Sequence, residues 1–346
     1  MNHTLIRPRP LQPGATIGIF TPSSPANVWY REKYLHGVRA LEVLGFRVVE
    51  GSLTARACEQ GYRSGTPEER AAEFMELIEN SSVDCMMATI GGMNSSSMIP
   101  FLDFDVIRAH PKIITGYSDV TSLHLAILAY SGLSTFYGPA LVPSFGEWPA
   151  PLAETVESFL AATQRHVSGR RRIVPPERWS NHLRDARTDA WRNEDRIFRE
   201  NPGFRTLNPG SVEAPVIVAN LNTMLTAAGT AYFPDVTGAI LLIEEMNAPY
   251  SLEERSLRHL SLLGVFDRIA GLIIGKPEMP ESQGAPFTLD DLVLEVVGRR
   301  PYPIVSNFDC SHTHPMLTIA QMTTIALEAN GGYDVGVVIG EPMVAM

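Results

Sequence analysis

Short apolar runs and helical stripes alternate along the first half of the chain. Ala15–Phe20 (ATIGIF) is an apolar run of strand length, closed by the turn sequence Thr21-Pro22-Ser23-Ser24-Pro25. Tyr34, Leu35, Val38, Leu41 and Leu44 then recur at helical spacing, and Arg47–Glu50 offers the next strand. Thr66-Pro67-Glu68-Glu69 has the form of a capping box with proline at the first helical position, opening a helix through Phe74, Met75 and Leu77. Val83–Thr89 (VDCMMAT) is a strand that runs into Gly91-Gly92. Lys112–Gly116 (KIITG) is another, followed by a helix that begins near Ser118–Thr121. Such alternation predicts an α/β fold with a parallel sheet covered by helices on both faces.

The pattern breaks between about Gln164 and Gly210. From Arg165 to Arg205 there are 11 arginines against 6 acids, with Pro175-Pro176, Trp179 and Trp191 among them. Long segments without periodicity in compact proteins are usually functional or disordered, and two tryptophans argue against disorder. Strand signals return after Val212 in Val216–Ala219, Ala239–Ile243 and Gly271–Ile274, with a helix between Leu252 and Leu263. Thr323–Leu327 and Val335–Ile339 close the chain. The division this predicts is residues 1–165, a linker and recognition loop over 166–210, and a β-rich α/β domain over 211–346.

Composition narrows the class. At 346 residues and 45% hydrophobic the chain can bury a sizeable core, and its net charge of −10 disfavours nucleic acid as a partner. Three scattered cysteines suggest neither a disulfide framework nor a zinc knuckle. The N-terminus lacks the apolar core of a signal peptide, and no run of 18 apolar residues could span a bilayer, so the cytoplasm is the expected location.

Four places could carry chemistry. Ser118, in Gly116-Tyr117-Ser118-Asp119, sits where a strand turns into a helix, which exposes a hydroxyl beside free backbone N–H groups. A serine there is also a common helix N-cap. Gly91-Gly92 permits close backbone approach to a ligand but lacks the dinucleotide-binding spacing. Glu244-Glu245 ends an apolar strand, at the rim where open sheets place ligands. His312 and His314 form an HxH pair with no further metal-type residue at ligand spacing nearby, so no metal is expected. The order Ser…Glu…His supplies what a triad requires: a nucleophile, an orienting acid and a base of near-neutral pKa.

Gly116-Tyr117-Ser118-Asp119-Val120-Thr121, Gly65-Thr66-Pro67-Glu68-Glu69-Arg70, Leu242-Ile243-Glu244-Glu245 and His312-Thr313-His314-Pro315 together resemble the LD-carboxypeptidase family of serine peptidases. The resemblance implies an N-terminal flavodoxin-like domain, a smaller C-terminal β-rich domain, no cofactor and a homodimer. It assigns Ser118 as nucleophile, His312 as base and Glu244 as its orienting acid. The N–H groups of Gly92 and Asp119 become oxyanion donors, and Gly91, Asn220 and Glu245 substrate contacts. Thr135–Ala140, Val142–Glu147, Ala219–Thr223 and Gly264–Asp267 are similar to the family's microcin C immunity branch. That branch cleaves the amide between a C-terminal aspartate and a modified adenylate, and a loop tryptophan stacks on the base. The resemblance therefore implies an aminoacyl- or peptidyl-nucleotide substrate and gives Trp191 the stacking role, with Trp179 as second choice. The alternatives are a murein tetrapeptide LD-carboxypeptidase and a non-catalytic aminoacyl-adenylate-binding protein. The chain departs from its relatives twice. Thr318-Ile319-Ala320-Gln321-Met322 replaces a Thr-Leu-Pro-x-Gly stretch, predicting a changed loop. No lysine lies between Glu245 and Arg255, where that branch carries one.

Overall fold

A computed structural model describes residues 3–164 and 170–346. The expected boundary at 165/166 therefore lies outside the described residues. Five parallel strands, β1 (Thr16–Phe20), β2 (Arg47–Glu50), β3 (Cys85–Ala88), β4 (Ile113–Gly116) and β5 (Phe136–Tyr137), form the first sheet in the order β2-β1-β3-β4-β5. This is the flavodoxin-like order, in which the crevice at the carboxyl ends of β1 and β3 is the place for a ligand. Strands β1, β3, β4 and β5 are short buried runs, whereas β2, at the sheet edge, is partly exposed. Thr66 caps the helix Pro67–Glu79 in the reciprocal manner its sequence predicts, taking the Glu69 N–H while the Glu69 carboxylate takes its own.

Eight strands make the second sheet: β6 (Arg171–Arg172), β9 (Arg205–Asn208), β10 (Gly210–Asn220), β11 (Ile240–Glu244), β12 (Gly271–Gly275), β13 (Ile304–Phe308), β15 (Thr324–Gly331) and β16 (Asp334–Ile339). Strands β10 to β13 run parallel, so their carboxyl ends open on one rim, while β15 and β16 return antiparallel. A small ribbon, β7 (Arg178–Trp179) with β8 (Arg199–Glu200), organises the arginine-rich excursion. Strand β14 (Ile319–Ala320) leaves the C-terminal half and pairs antiparallel with β5 at the edge of the first sheet. The stretch that departs from the family's loop sequence is thus a strand, which its proline-free sequence permits. Ile319 and Ala320 are fully buried in a core that also holds Ile17, Phe136, Val216 and Leu242, so one apolar cluster spans both sheets. Among the described residues no helix is long and apolar enough to cross a membrane.

Candidate active site

Ser118 follows β4 with φ at +63°, a left-handed conformation that costs a non-glycine residue about 1–3 kcal/mol. Its surroundings hold it there. Its N–H donates to the Tyr137 hydroxyl at 3.1 Å, and the Asp119 carboxylate accepts from the N–H groups of Asn94 at 2.9 Å and Ser95 at 2.8 Å. The Ser95 hydroxyl in turn donates to the Asp119 carbonyl. These bonds draw the loop after β3 against the serine. A Cβ on Gly91 would lie 2.9 Å from the Ser118 Cβ, so only glycine fits. Gly92, at φ +152°, adopts a backbone favourable to glycine, and a Cβ there would collide with Ser23. Neither the Gly92 nor the Asp119 N–H enters a loop hydrogen bond among the described residues.

Arg70, the last residue of the GTPEER motif, is 1% exposed and ties this region together. Its guanidinium donates to the carbonyls of Gly65, Pro22 and Asn94, to the Asn94 side chain and to the Ser97 hydroxyl. With the Thr66 carbonyl at 3.3 Å as well, the loops after β1 and β3 and the helix Pro67–Glu79 share one buried cation, whose charge is spread over six acceptors.

The second sheet supplies the acid and the imidazole. Glu244 ends β11 and is 2% exposed. One carboxylate oxygen accepts from His312 Nδ1 at 2.6 Å and from the His312 N–H at 3.1 Å. The other accepts from the Tyr137 hydroxyl at 2.5 Å and from Asn220 Nδ2 at 3.2 Å. A carboxylate only accepts, so Nδ1 carries the proton and Nε2 is left as a base. Burial disfavours the imidazolium, but Glu244, with Glu278 and Glu245 beyond it, outweighs that and holds the His312 pKa above its ordinary value. The Tyr117 ring meets the imidazole edge to face at 4.7 Å.

Ser118, His312, Gly91 and Gly92 line one cavity of about 560 Å³. Its remaining wall comes from the helix Arg31–Val43, the preceding turn and the excursion. Glu278, just past β12, has one buried oxygen without a hydrogen-bond partner among the described residues. Burial pushes its pKa up to about 7; His312 opposes this and Glu244 reinforces it. At the other end Glu147 accepts from Arg184 and, at 3.0 and 2.8 Å, from Arg196. Trp29 lies on the wall, with the Arg187 guanidinium 5.8 Å from its ring centroid.

Several expected roles meet a different geometry. Asn220 and Glu245 are absent from the cavity wall. Asn220 caps the helix Leu221–Thr226 and steadies Glu244, and the Glu245 carboxylate accepts from Asn220, Asn222 and Met246. Trp191, to which the resemblance gives the stacking role, is packed among aromatic rings. It is 5% exposed, packs edge to face on Trp148 at 5.9 Å and lies 5.9 Å from His36, away from the cavity. Trp179 carries Lys276 at 4.8 Å and Arg199 at 6.0 Å from its ring. His314 is half-buried, and its backbone exchanges two hydrogen bonds with Ser180, which fastens the excursion to the histidine loop. Among the described residues no group of three or more His, Cys, Asp or Glu is placed to hold a metal. Tyr137, Glu278, Glu147 and Trp29 were not singled out from the sequence. Only Tyr137 and Glu147 lie inside motifs quoted above.

A serine on a strained strand-to-helix turn, an imidazole polarised by a buried acid and two free N–H groups make the equipment of a serine hydrolase. Models of the LD-carboxypeptidase N-terminal and C-terminal domains match residues 17–138 and 213–327. The chain belongs to the LD-carboxypeptidase family and is a hydrolase of the serine carboxypeptidase type. It is 41% identical over 320 residues to the microcin C7 self-immunity protein MccF of Escherichia coli, covering 92% of each chain. It is 40% identical to a putative carboxypeptidase of Vibrio cholerae, over 88% of this chain and 89% of that one. A solved structure of MccF in complex with aspartyl sulfamoyl adenosine superposes with a TM-score of 0.92 at 39% identity, covering 98% of this chain and all of the other. Other structures of MccF hold glutamyl sulfamoyl guanosine, or adenosine monophosphate in a tryptophan-to-phenylalanine mutant. One is an active-site mutant with alanine for a serine, an asparagine and a lysine.

Proposed function

We propose that this protein hydrolyses the amide joining an acidic amino acid to a nucleotide, and so gives self-immunity to, or detoxifies, a microcin C-like aminoacyl-adenylate. The observation that carries the reading is the hydrogen-bonded chain from Ser118 through Tyr137 and Glu244 to His312, beside a cavity large enough for such a ligand. His312 Nε2 takes the Ser118 proton as Oγ attacks the acyl carbon. The Gly92 and Asp119 N–H groups receive the developing oxyanion. His312 then returns the proton to the departing nitrogen, and water repeats the sequence on the acyl-enzyme. Tyr137 fixes the Glu244 oxygen that does not meet the imidazole. The unpartnered Glu278 oxygen suits the substrate's ammonium. Trp29, flanked by Arg187, offers the flat face for a base that Trp191 does not present.

The ligands of MccF, aspartyl and glutamyl sulfamoyl nucleosides, support this reading. The family's own name supports a second one, release of terminal D-alanine from a murein tetrapeptide. Turnover of aspartyl sulfamoyl adenosine and of the tetrapeptide, each with Ser118→Ala as control, tests both. Cleavage of the tetrapeptide with the adenosine compound left intact would overturn the proposal.

A further inference from the structure

The chain has three lysines, and two of them are committed to structure. Lys112 donates to the carbonyls of Asn80 at 2.7 Å and Val83 at 2.6 Å. Lys276 pairs with Asp309 at 2.5 Å and donates to Asn201 at 2.9 Å. Lys33 differs. It is 7% exposed and lines the cavity that contains Ser118, yet its ammonium makes no hydrogen bond or ion pair among the described residues. The acid that acts on it most is Glu147, and that carboxylate is already shared between Arg184 and Arg196. A cation in the cavity wall without a protein acceptor is held only by water, which an anionic ligand can replace.

A second observation points the same way. One solved form of MccF is an active-site mutant in which a lysine is replaced, and this chain has no lysine between Glu245 and Arg255. A site that handles acidic substrates still requires a cation at hydrogen-bond range.

We infer that Lys33 is the anion-recognising residue of this cavity, taking either the substrate's side-chain carboxylate or its phosphoryl or sulfamoyl oxygens. The inference deepens the proposed function and rests on it for the identity of the substrate. The position also explains selectivity: the ammonium stands in the wall, away from the Glu244–His312 pair, so it can grade substrates without taking part in proton transfer. Its neighbours set its charge. Burial lowers the Lys33 pKa to about 8; Glu147 opposes this, and Arg196 and Arg184 add to it. Burial first, then Arg196, Lys33 and Arg184, hold the His314 pKa well below its ordinary value. An anion bound there restores the ordinary lysine range, so affinity falls as pH rises through about 8.

The test uses the full chain with Ser118→Ala as binding background, titrated with aspartyl sulfamoyl adenosine, leucyl sulfamoyl adenosine and AMP. Lys33→Met is expected to weaken the aspartyl compound by about ten- to a hundred-fold, the size of a lost charge-assisted hydrogen bond. Lys33→Arg should retain most of the affinity. A loss confined to the aspartyl compound assigns the contact to the carboxylate. A loss shared by all three ligands assigns it to the phosphoryl or sulfamoyl group. The melting temperature of Lys33→Met should be unchanged or raised, because methionine fills the space without an unpaired charge. Affinities within two-fold of the parent for all three ligands overturn the inference. So does a lowered melting temperature with a loss of binding that Lys33→Arg fails to rescue, since that marks a structural lysine. Failure of the wild-type protein to hydrolyse either sulfamoyl compound would sink the proposed reaction and leave these binding comparisons readable.

Discussion

The two ends of the cavity are built on different principles. At the Ser118 end, side chains stand on or just beyond the carboxyl ends of β4, β5, β11 and β13, and the groups behind the serine and the imidazole satisfy one another. Glu244 alone accepts four hydrogen bonds. Glu278 stands near His312 with one oxygen unpartnered among the described residues. At the far end the wall is a helix start and an irregular excursion, its arginines drawn together on Glu147, with Lys33 opening onto the cavity. Side chains that orient a reacting pair are locked by neighbours, whereas atoms that must greet a ligand are left without protein partners. Divergence of substrate within such a fold is therefore expected to act on the excursion and not on the strand ends.

The largest expected effect is at the locked end. Ser118→Ala should lower kcat for aspartyl sulfamoyl adenosine by roughly a thousand-fold or more with the fold intact, because members of such a constellation act as a unit. Near-normal turnover would remove the serine mechanism and with it the contrast between the ends.

Glu147→Gln strikes the other end. It leaves Arg184 and Arg196 buried without their shared carboxylate, and breaking a buried pair in this way costs about 3–5 kcal/mol. A lower denaturation midpoint together with a raised KM is expected. Unchanged stability would mean that the excursion is held by something other than this ion cluster.

The tryptophans sharpen the comparison further. Trp29→Ala should raise KM for an adenylate-linked substrate by about ten- to a hundred-fold, the loss of one stacked base at roughly 1–3 kcal/mol, with little change in stability. Trp191→Ala should lower the melting temperature and weaken all substrates alike, as removal of a buried anchor does. The reverse pattern, read from the two kinetic and thermal profiles, would restore the stacking role to Trp191.

The smallest effect is a shift in pH. In the proposed reaction His312 has to be neutral to accept the Ser118 proton, and its pKa is raised, so activity should fall as pH drops through a midpoint above the ordinary histidine value near 6.5. Glu278 titrates nearby at about 7 and its negative charge favours the imidazolium. Glu278→Gln should therefore move the acid limb of kcat/KM to lower pH. A limb that stays in place would show that Glu278 does not act on His312.

How much of this was legible in the sequence follows the same division. Thr16–Phe20, Ile240–Glu244 and Gly271–Gly275 stand where apolar runs predict strands, since buried parallel strands write themselves as continuous hydrophobic runs. The Thr66 cap was readable because all its atoms lie within four residues. Glu244 and His312 were readable as motifs. Tyr137 was not, because its hydroxyl acts on a residue 107 positions away and only topology joins them. The excursion resisted reading for a related reason. Its strands β6, β7 and β8 have two residues each, too few to show a period. Arg184 is 4% exposed, and its carboxylate partner lies 37 residues upstream, outside the excursion.

Strand β14 has a consequence in time. It completes the edge of the first sheet with residues drawn from near the chain's end, and the Ser134 hydroxyl bonds the Gln321 carbonyl across 187 positions. A chain emerging from the ribosome at about 5–20 residues per second holds Ser118 in an unfinished sheet for on the order of ten seconds or more before Gln321 follows. The half that carries Ser118 matures only when the half bearing Glu244 and His312 has been made through Gln321. Nascent chains shorter than that hold Ser118 apart from the Glu244–His312 pair.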